Sequence, residues 1–490
     1  IVKKVVSFDI QLVENKIKTI SKKDYTSNSV LNTGKWYKIG VAKTGLHKMD
    51  ANFLNSLGVD LSNVNMQNIR LFGNRSGILD EKLADVEIDD LSEIAIEVID
   101  INSSASFDSE DYILFFGQSP HVWNYDNTKF VYTKNIYSDT TYYFLSFDSD
   151  LIGKRMQTNS HGYVLGNPDN NIINSSDKYF VYEEDNVNLV KTGRAWFGES
   201  FSFDFSQDFD TPIASWNSDT ILFSGNFAAR SSTGSTFEIN NGSFGIGSVY
   251  IPPIASSSND YYKTTFIEQV FSNPNLSSDI SLFFNNNGNS SALAWLDYFI
   301  LQGRHEGYLD VNPTSHYLFR DTQSVSEGSE NCFQLSKSTN DVLYNVFDVT
   351  DPLNVTKQLY ETLGPDGFFK TNTSSLKEFL VVSSNQNFTP SALGLVENQN
   401  IHGATQPSYI IVTHPLFINA ATRLANFHSV NGENVLLVTT EQVYNEFSTG
   451  SPDVSAIRNM LKMFYDRAEN VEEIPKNILL FGDASFDYKN

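Results

Sequence analysis

Cysteine is nearly absent from this sequence, since Cys332 is the only one among its 490 residues. A single cysteine excludes any disulfide within the chain. As a nucleophile, Cys332 would need a histidine base, and its neighbours in the sequence supply none. The segment around it is strand-like, with Asn331 before it and Phe333 after it. This context favours a small buried apolar side chain.

Basic residues are also scarce, with 34 lysines and arginines against 58 aspartates and glutamates. The formal net charge is −24 with histidine counted as neutral. Nucleic-acid affinity depends on lysine and arginine side chains that displace counterions from phosphates, and no basic cluster overrides the negative balance. The composition therefore argues against nucleic acid as a partner.

Long apolar runs are missing too, because no stretch reaches the roughly 18 to 20 residues that a membrane helix requires. The sequence likewise has no phosphate-binding loop and no EF-hand spacing. The pair His305-Glu306 is followed by Gly307, so the second histidine of a zinc-binding helix is absent. The motifs by themselves therefore indicate no cofactor and no metal.

Aromatic residues, by contrast, are abundant: 37 phenylalanines and 23 tyrosines favour β-structure over helix. From residue 1 to about residue 395, short apolar runs such as 111–117 and 219–225 alternate with turns rich in glycine, asparagine and serine. This pattern predicts sandwiches or barrels. A polar stretch near 159–177 divides this β-rich region into two groups of predicted strands. We predict a β-rich amino-terminal domain at 1–160 and a second β-rich, sandwich-like domain at 178–395.

The pattern changes after a linker at 394–407. Residues 409–413, 434–439 and 477–483 are apolar runs typical of strands buried on both faces. Two segments with helical spacing separate them, and the second is predicted to open at Ser451 with Pro452 as its first helical residue. The order β-α-β-α-β predicts a parallel sheet, the first half of a doubly wound α/β domain at 408–490.

Polar residues follow each of these predicted strands. His414 follows the first strand, Thr440 lies at the end of the second, and Asp483 closes the third. In open α/β sheets, sites form beyond the carboxyl ends of the strands. These three residues are therefore candidates for the rim of a site. The alternative is structural, with His414 starting a helix before Pro415 and Asp483 belonging to a turn.

Four segments in this last part resemble the opening of the catalytic domain of gingipain-type cysteine peptidases, in order and in spacing. They are 411–415 (IVTHP), 438–450 (VTTEQVYNEFSTG), 456–459 (AIRN) and 480–489 (LFGDASFDYK). Further segments resemble the long β-rich region of the sortase branch of that family. They are 36–39 (WYKI), 69–74 (IRLFGN), 194–199 (RAWFGE), 294–298 (AWLDY) and 347–352 (FDVTDP).

The resemblance implies a caspase-like α/β catalytic domain and a function in type IX secretion. Proteins of this branch lie on the extracellular face of the bacterial outer membrane, held there by an outer-membrane β-barrel shuttle protein. They remove the C-terminal sorting domain of secreted cargo, and many attach the cargo to lipopolysaccharide. Calcium is compatible with the family, although no segment here has a convincing ligand spacing.

The resemblance also implies where the chemistry lies. The catalytic histidine and cysteine of the family lie downstream of the turn at Gly482-Asp483. We therefore expect no catalytic residue within this chain, an amino-terminal part that is inactive by itself. Two other functions stay open: a secreted gingipain-like protease that acts on environmental proteins, and a non-enzymatic β-sandwich adhesin. The adhesin would explain residues 1–395 but not the parallel α/β segment.

Overall fold

The computed structural model describes residues 24–82, 89–103, 106–148, 150–167, 171–216, 220–305, 309–311, 316–337, 344–383 and 386–489. Its helices are α1 (Ala51–Ser56), α2 (Ile418–Val430), α3 (Thr440–Phe447) and α4 (Ser455–Arg467). The strands of the first part are β1 (Trp36–Val41), β2 (Gly45–Asp50), β3 (Arg70–Gly73), β4 (Ser92–Ile94), β5 (Glu97–Ile99), β6 (Tyr112–Gly117), β7 (Val122–Tyr125), β8 (Phe130–Thr133), β9 (Thr141–Ser146), β10 (Gln157–Asn159) and β11 (Ile172–Ile173).

The strands of the middle part are β12 (Ser176–Glu183), β13 (Ser206–Asp210), β14 (Ile221–Arg230), β15 (Ser235–Asn241), β16 (Phe244–Ile251), β17 (Lys263–Phe271), β18 (Asp279–Asn285), β19 (Leu293–His305), β20 (Leu309–Val311) and β21 (His316–Arg320). The remaining strands are β22 (Glu330–Lys337), β23 (Tyr344–Asp348), β24 (Thr356–Gln358), β25 (Glu361–Leu363), β26 (Asp366–Asn372), β27 (Glu378–Ser383), β28 (Ser391–Val396), β29 (Tyr409–Thr413), β30 (Val435–Thr439) and β31 (Asn477–Phe481).

The first β-rich body consists of one sheet in the order β28-β1-β9-β3-β4 and a second in the order β2-β6-β5. Alternating positions of these strands, with α1, enclose one apolar core that includes Ile39, Leu71, Phe115 and Leu145. Successive side chains of a strand point to opposite faces, and the face of β6 away from this core belongs to a second apolar cluster, shared with β23 and β27. The hairpin of β7 and β8 extends from this body.

The second body is a sandwich of the sheets β12-β19-β14-β17 and β13-β18-β15-β16. The alternation predicted from sequence is visible in β15, where Phe237 and Ile239 are buried and Glu238 between them is exposed. Phenylalanines dominate the core between the two sheets, among them Phe223, Phe227 and Phe284. Eight of the 37 phenylalanines of the sequence are buried in this core, where their rings pack against one another.

The third body combines the sheet β10-β24-β23-β27-β21 with the sheet β11-β22-β26-β25. Phe319, Phe333, Phe369 and Phe379 form its core. Pairing does not follow the chain, since β10 lies parallel to β24 and β28 returns to pair with β1 of the first body. The domain boundaries at 160, 178 and 395 stay a prediction, but the sheets link segments on both sides of them.

The carboxy-terminal part contains a three-stranded sheet in the order β30-β29-β31, with both pairs parallel. The predicted architecture, β-rich domains followed by a parallel α/β segment, is therefore confirmed. Two details of the prediction are wrong. The second crossover contains α3 as well as α4, and α4 begins at Ser455 and not at Pro452. Asp453 accounts for the later start, because its carboxylate accepts a hydrogen bond from the Ser455 N–H.

Candidate active site at the carboxyl edge of the parallel sheet

The carboxyl ends of the three parallel strands lie at one edge. Thr413 is in register with Thr439 on one side and with Phe481 on the other. The Thr413 hydroxyl also donates to the Phe481 carbonyl over 3.1 Å, which ties the ends of β29 and β31 together. The parallel arrangement predicted for this rim is therefore confirmed, and β29 is its central strand.

The three predicted rim residues differ in their exposure and in their hydrogen bonds. His414 is exposed, and its Nδ1 accepts a hydrogen bond from the Leu416 N–H over 3.2 Å at the start of a short 3₁₀ turn. An accepting Nδ1 carries no proton, so Nε2 is the nitrogen left to face other groups. Asp483 is exposed, and its carboxylate accepts from the next N–H, that of Ala484, over 2.9 Å.

Thr440 is in a different position, because it is the first residue of α3. The helix is capped by the residue before it: the Thr439 hydroxyl accepts from the Gln442 N–H, while the Gln442 side chain accepts from the Thr439 N–H. This reciprocal capping box satisfies helix donors that otherwise remain unpaired. The structure brings the positions of all three residues to one edge, and their role in a site stays a prediction.

The segment 483–489, here called the rim arm, leaves this edge and docks on the β-rich bodies. Tyr488 stacks on Tyr137 with ring centroids 5.4 Å apart. Lys489 forms an ion pair with Asp139 at 2.7 Å. Arg194, from the sandwich, hydrogen-bonds Tyr488 and pairs with Glu81. The β-rich bodies therefore hold the segment that borders the candidate site.

A second polar cluster, missed by the sequence analysis, joins the α/β segment to the first body. His402 is fully buried, with Nδ1 2.5 Å from Glu446 and Nε2 3.0 Å from Asp89. Its ring stacks on Phe447 at 4.7 Å. Burial alone would lower the pKa of His402, but the hydrogen bonds to Asp89 and Glu446 outweigh it and raise that pKa to about 9. The imidazole is therefore a cation between two carboxylates.

One sequence feature could have revealed this cluster. Glu446 lies in α3 between the buried Asn445 and Phe447, so a charged residue occurs on the buried side of a helix. Buried carboxylates are paired or hydrogen-bonded. Glu446 also accepts hydrogen bonds from the backbone N–H groups of Ile401 and His402. The partner Asp89 is 313 residues from His402 and could not have been found from local pattern.

Cys332 belongs to the third β-rich body and not to the rim or to the His402 cluster. It is buried in β22 and packs against Tyr163 and Phe368. Burial raises the pKa of its thiol to about 11, only partly offset by Lys370. A thiol with a raised pKa is a poor nucleophile at neutral pH. The interpretation of Cys332 as a small buried side chain is confirmed.

A clustered set of metal ligands and a membrane-spanning helix are both lacking in the described part of the chain. Within the described ranges, no group of three or more histidine, cysteine, aspartate or glutamate side chains is arranged to hold a metal ion. The helices described above also lack the length and apolar character needed to cross a bilayer.

Comparison with known proteins supports the resemblance seen in the motifs. Residues 402–490 match the model of peptidase family C25. The crystal structure of dimeric latent PorU from Porphyromonas gingivalis matches 95% of the chain with 26% identity and a TM-score of 0.78. This chain resembles PorU. It spans 43% of the PorU chain, so it corresponds to less than half of that protein. The predicted similarity to a PorU-like, gingipain-type peptidase is confirmed.

Other structural matches are weak. The insecticidal delta-endotoxin Cry8Ea1 from Bacillus thuringiensis is 10% identical, with 50% of this chain and 43% of that chain covered and a TM-score of 0.19. A family 6 carbohydrate-binding module is 12% identical, with 29% of this chain and 100% of that chain covered and a TM-score of 0.13. Among curated protein sequences there is no significant match.

Proposed function

We propose that this chain is the front part of a cell-surface cysteine peptidase and transpeptidase, a sortase of the type IX secretion system. In this proposal the whole protein removes the C-terminal sorting domain of secreted cargo and attaches the cargo to lipopolysaccharide. It acts on the extracellular face of the outer membrane, where an outer-membrane shuttle protein holds it.

The observation that supports this proposal best is the extent of the similarity to PorU. It covers 95% of the chain, including the three β-rich bodies, and not only the family C25 segment at 402–490. A protease that shared only its catalytic domain with PorU would match at the carboxy-terminal part alone. The β-rich bodies therefore favour the sortase over an ordinary secreted protease. The parallel sheet and the C25 match disfavour an adhesin.

The geometry of the rim fits the proposed chemistry. A thiolate attacks the scissile carbonyl, a histidine transfers the proton to the leaving amine, and the thioester is then opened by an amine or by water. In the proposal, a histidine and a cysteine downstream of the Gly482-Asp483 turn reach the carboxyl edge at His414 and Asp483. These two exposed residues would orient substrate or catalytic groups by hydrogen bonding, while the docked rim arm sets the position of Asp483.

The full-length protein tests the proposal with a cargo fragment that carries its sorting domain. Intact-mass spectrometry should show loss of the sorting domain and, with an added amine, cargo joined to that amine. Asp483→Asn should lower the rate about tenfold, the loss of one hydrogen bond of about 1.4 kcal/mol. Asp487→Asn, the same change on the same arm, is the matched control and should have little effect.

Other outcomes favour the competing functions. Equal cleavage of casein and of the cargo junction would favour a secreted protease of broad specificity. Binding of cargo without any cleavage by the full-length protein would favour an adhesin. Cleavage by residues 1–490 alone would contradict the expectation that the catalytic residues lie elsewhere.

A further inference from the structure

A cleft of about 640 Å³ opens where the three β-rich bodies meet. It is lined by the hairpin β7–β8, by the start of β12, by β21, and by loops that follow β3, β6 and β23. We call it the junction cleft. Small-molecule sites of proteins typically occupy clefts of about 300 to 1,000 Å³ at the junctions of domains. Neither the rim of the parallel sheet nor the His402 cluster contributes to its walls.

One wall of the junction cleft is a row of aromatic rings. The Trp123 ring centroid lies 5.0 Å from that of Tyr132 and 4.6 Å from that of Tyr179. Phe130 continues the row, 4.8 Å from Tyr179. Trp123, Tyr132 and Tyr179 all border the cleft and are only partly buried. The wall therefore offers apolar ring surface next to polar ring tips.

These polar tips are not used by the protein. The indole N–H of Trp123 and the hydroxyls of Tyr132 and Tyr179 have no hydrogen-bond partner within the described residues. None of the three atoms is among the polar atoms that are buried without a partner. Each of these atoms therefore keeps some contact with solvent and can donate to a ligand, although burial raises the pKa of the Tyr132 and Tyr179 hydroxyls. Tyrosine and tryptophan tips that point into a site usually find such partners.

The charged groups around the cleft have contacts within the protein, the longest being those of Arg75 to Asp351 at 3.6 Å and of His121 to Asp139 at 3.7 Å. Arg320 forms an ion pair with Glu378 at 2.8 Å. Asp177 forms one with Arg304 at 2.6 Å, and Lys178 donates to the Tyr317 hydroxyl. A charged ligand would have to compete with these internal contacts, whereas a neutral one would leave them intact. The charge arrangement therefore favours a neutral ligand with many hydroxyl groups.

Backbone groups at the strand edges next to the aromatic wall already form hydrogen bonds with side chains. Arg320 donates to the Trp123 carbonyl over 3.0 Å. The Gln302 amide accepts from the Phe130 N–H and donates to the Phe130 carbonyl, each over 2.8 Å. A peptide that binds by strand addition needs such groups to be free. This arrangement disfavours an extended peptide as the occupant.

We propose that the junction cleft is a binding site for a neutral oligosaccharide, whose sugar faces pack on Trp123 while its hydroxyls bond to the free aromatic tips. A sugar ring has C–H groups on its faces and hydroxyls on its rim, so it matches a wall of rings with unused donors. The proposal goes beyond the peptidase function and does not depend on it.

Isothermal titration calorimetry on the chain tests the proposal with five neutral probes: maltohexaose, cellohexaose, mannohexaose, chitohexaose and isomaltohexaose. At least one should bind saturably. Trp123→Ala should then weaken that binding by tenfold or more. The double variant Tyr132→Phe with Tyr179→Phe keeps both rings and should weaken it about thirtyfold, the value of about two hydrogen bonds. Tyr250→Ala, at a 57% exposed tyrosine of β16 outside the cleft, should bind like the unmodified chain.

Three results would overturn the proposal. The first is the absence of saturable binding by all five probes. The second is tighter binding of an anionic oligosaccharide, hexagalacturonate, or of an unstructured peptide than of any neutral probe. The third is unchanged binding by the Tyr132→Phe, Tyr179→Phe variant. This result is decisive even if circular dichroism shows that Trp123→Ala has unfolded.

Discussion

The imidazole of His402 is enclosed by two carboxylates and one aromatic ring. The backbone carbonyl of His402 also accepts a hydrogen bond from Arg467, whose guanidinium donates in addition to the Thr26 carbonyl. A protonated imidazole in such surroundings is held by both of its N–H groups. Loss of its proton would leave the buried Glu446 carboxylate and the partly buried Asp89 carboxylate without their hydrogen-bonded cation. The cluster therefore links the stability of the fold to pH.

The pH dependence of stability has a defined sign. The pKa of His402 is about 9 in the folded protein, against the ordinary 6.5 of an unfolded chain. The stabilisation is fully present below about pH 6.5 and is lost as the pH rises through about 9. The difference corresponds to about 3 kcal/mol. The contribution of His402 to the free energy of unfolding, measured with urea, should fall by an amount of this order between pH 6.5 and pH 9.5, while Lys38, whose pKa burial lowers to about 8, acts in the opposite direction.

The variant His402→Gln should remove this fall with pH and lower the stability at pH 6.5. His414→Gln, at the exposed rim position, is the control and should keep the fall, since the His402 cluster remains intact. A pH profile of His402→Gln equal to that of the unmodified chain would falsify the proposed linkage.

At the scale of single elements, α3 shows how local capping and tertiary packing act together. Thr439 ends β30 and at the same time caps α3, so the chain passes from strand to helix without a loop. Val443, Glu446 and Phe447 are then on the buried side of the helix. Gly450 follows in a left-handed conformation with φ of +81°, and Lys38 of β1 donates to its carbonyl. The cap thus helps to place α3 against the first body.

Thr439→Ala should lower the free energy of unfolding by about 1 kcal/mol, because it removes the side chain that caps α3. Thr439→Ser keeps the capping oxygen and should recover most of the loss. Thr440→Ala changes the neighbouring threonine, which is the first helical residue and not the cap, so its effect should stay within about 0.5 kcal/mol. Equal losses for Thr439→Ala and Thr440→Ala in urea unfolding would contradict this assignment of the cap.

At the scale of the whole molecule, the α/β segment depends on the first β-rich body. Asn74 donates to the Thr449 hydroxyl over 2.9 Å, and the Leu79 N–H donates to Asp453 over 2.9 Å. Lys38 donates to Asn445 in α3. These contacts satisfy polar groups that are buried in α3 and the loop after it. Buried polar groups that lose their partners cost free energy comparable to a hydrogen bond each.

Residues 402–489 expressed alone should therefore fail to fold cooperatively, whereas residues 24–401 should keep their β-structure. Leu480 and Val430, 62% and 88% exposed, add apolar surface that the small segment cannot bury. Far-UV circular dichroism during heating checks both pieces. A sharp cooperative transition of residues 402–489 alone would show that the contacts to the first body are dispensable.

The sequence by itself was sufficient for the features that depend on near neighbours. The apolar runs at 409–413 and 434–439 predicted buried strands, because a strand in a parallel sheet is covered on both faces. The positions of His414 and Asp483 after such strands predicted a common edge, since right-handed crossovers return the chain to the same side of the sheet. Motifs between residues 411 and 489 indicated the resemblance to gingipain-type peptidases.

Only the tertiary structure decided which distant segments meet. Nothing in the pattern of β28 shows that it pairs with β1, and nothing near His402 points to Asp89. Nor does any local pattern bring Trp123 and Tyr179 together at the junction cleft. The physical reason is that periodicity reports which face of an element is buried, but not what buries it. The partner depends on loop closure and packing of the whole chain, which no short window of sequence contains.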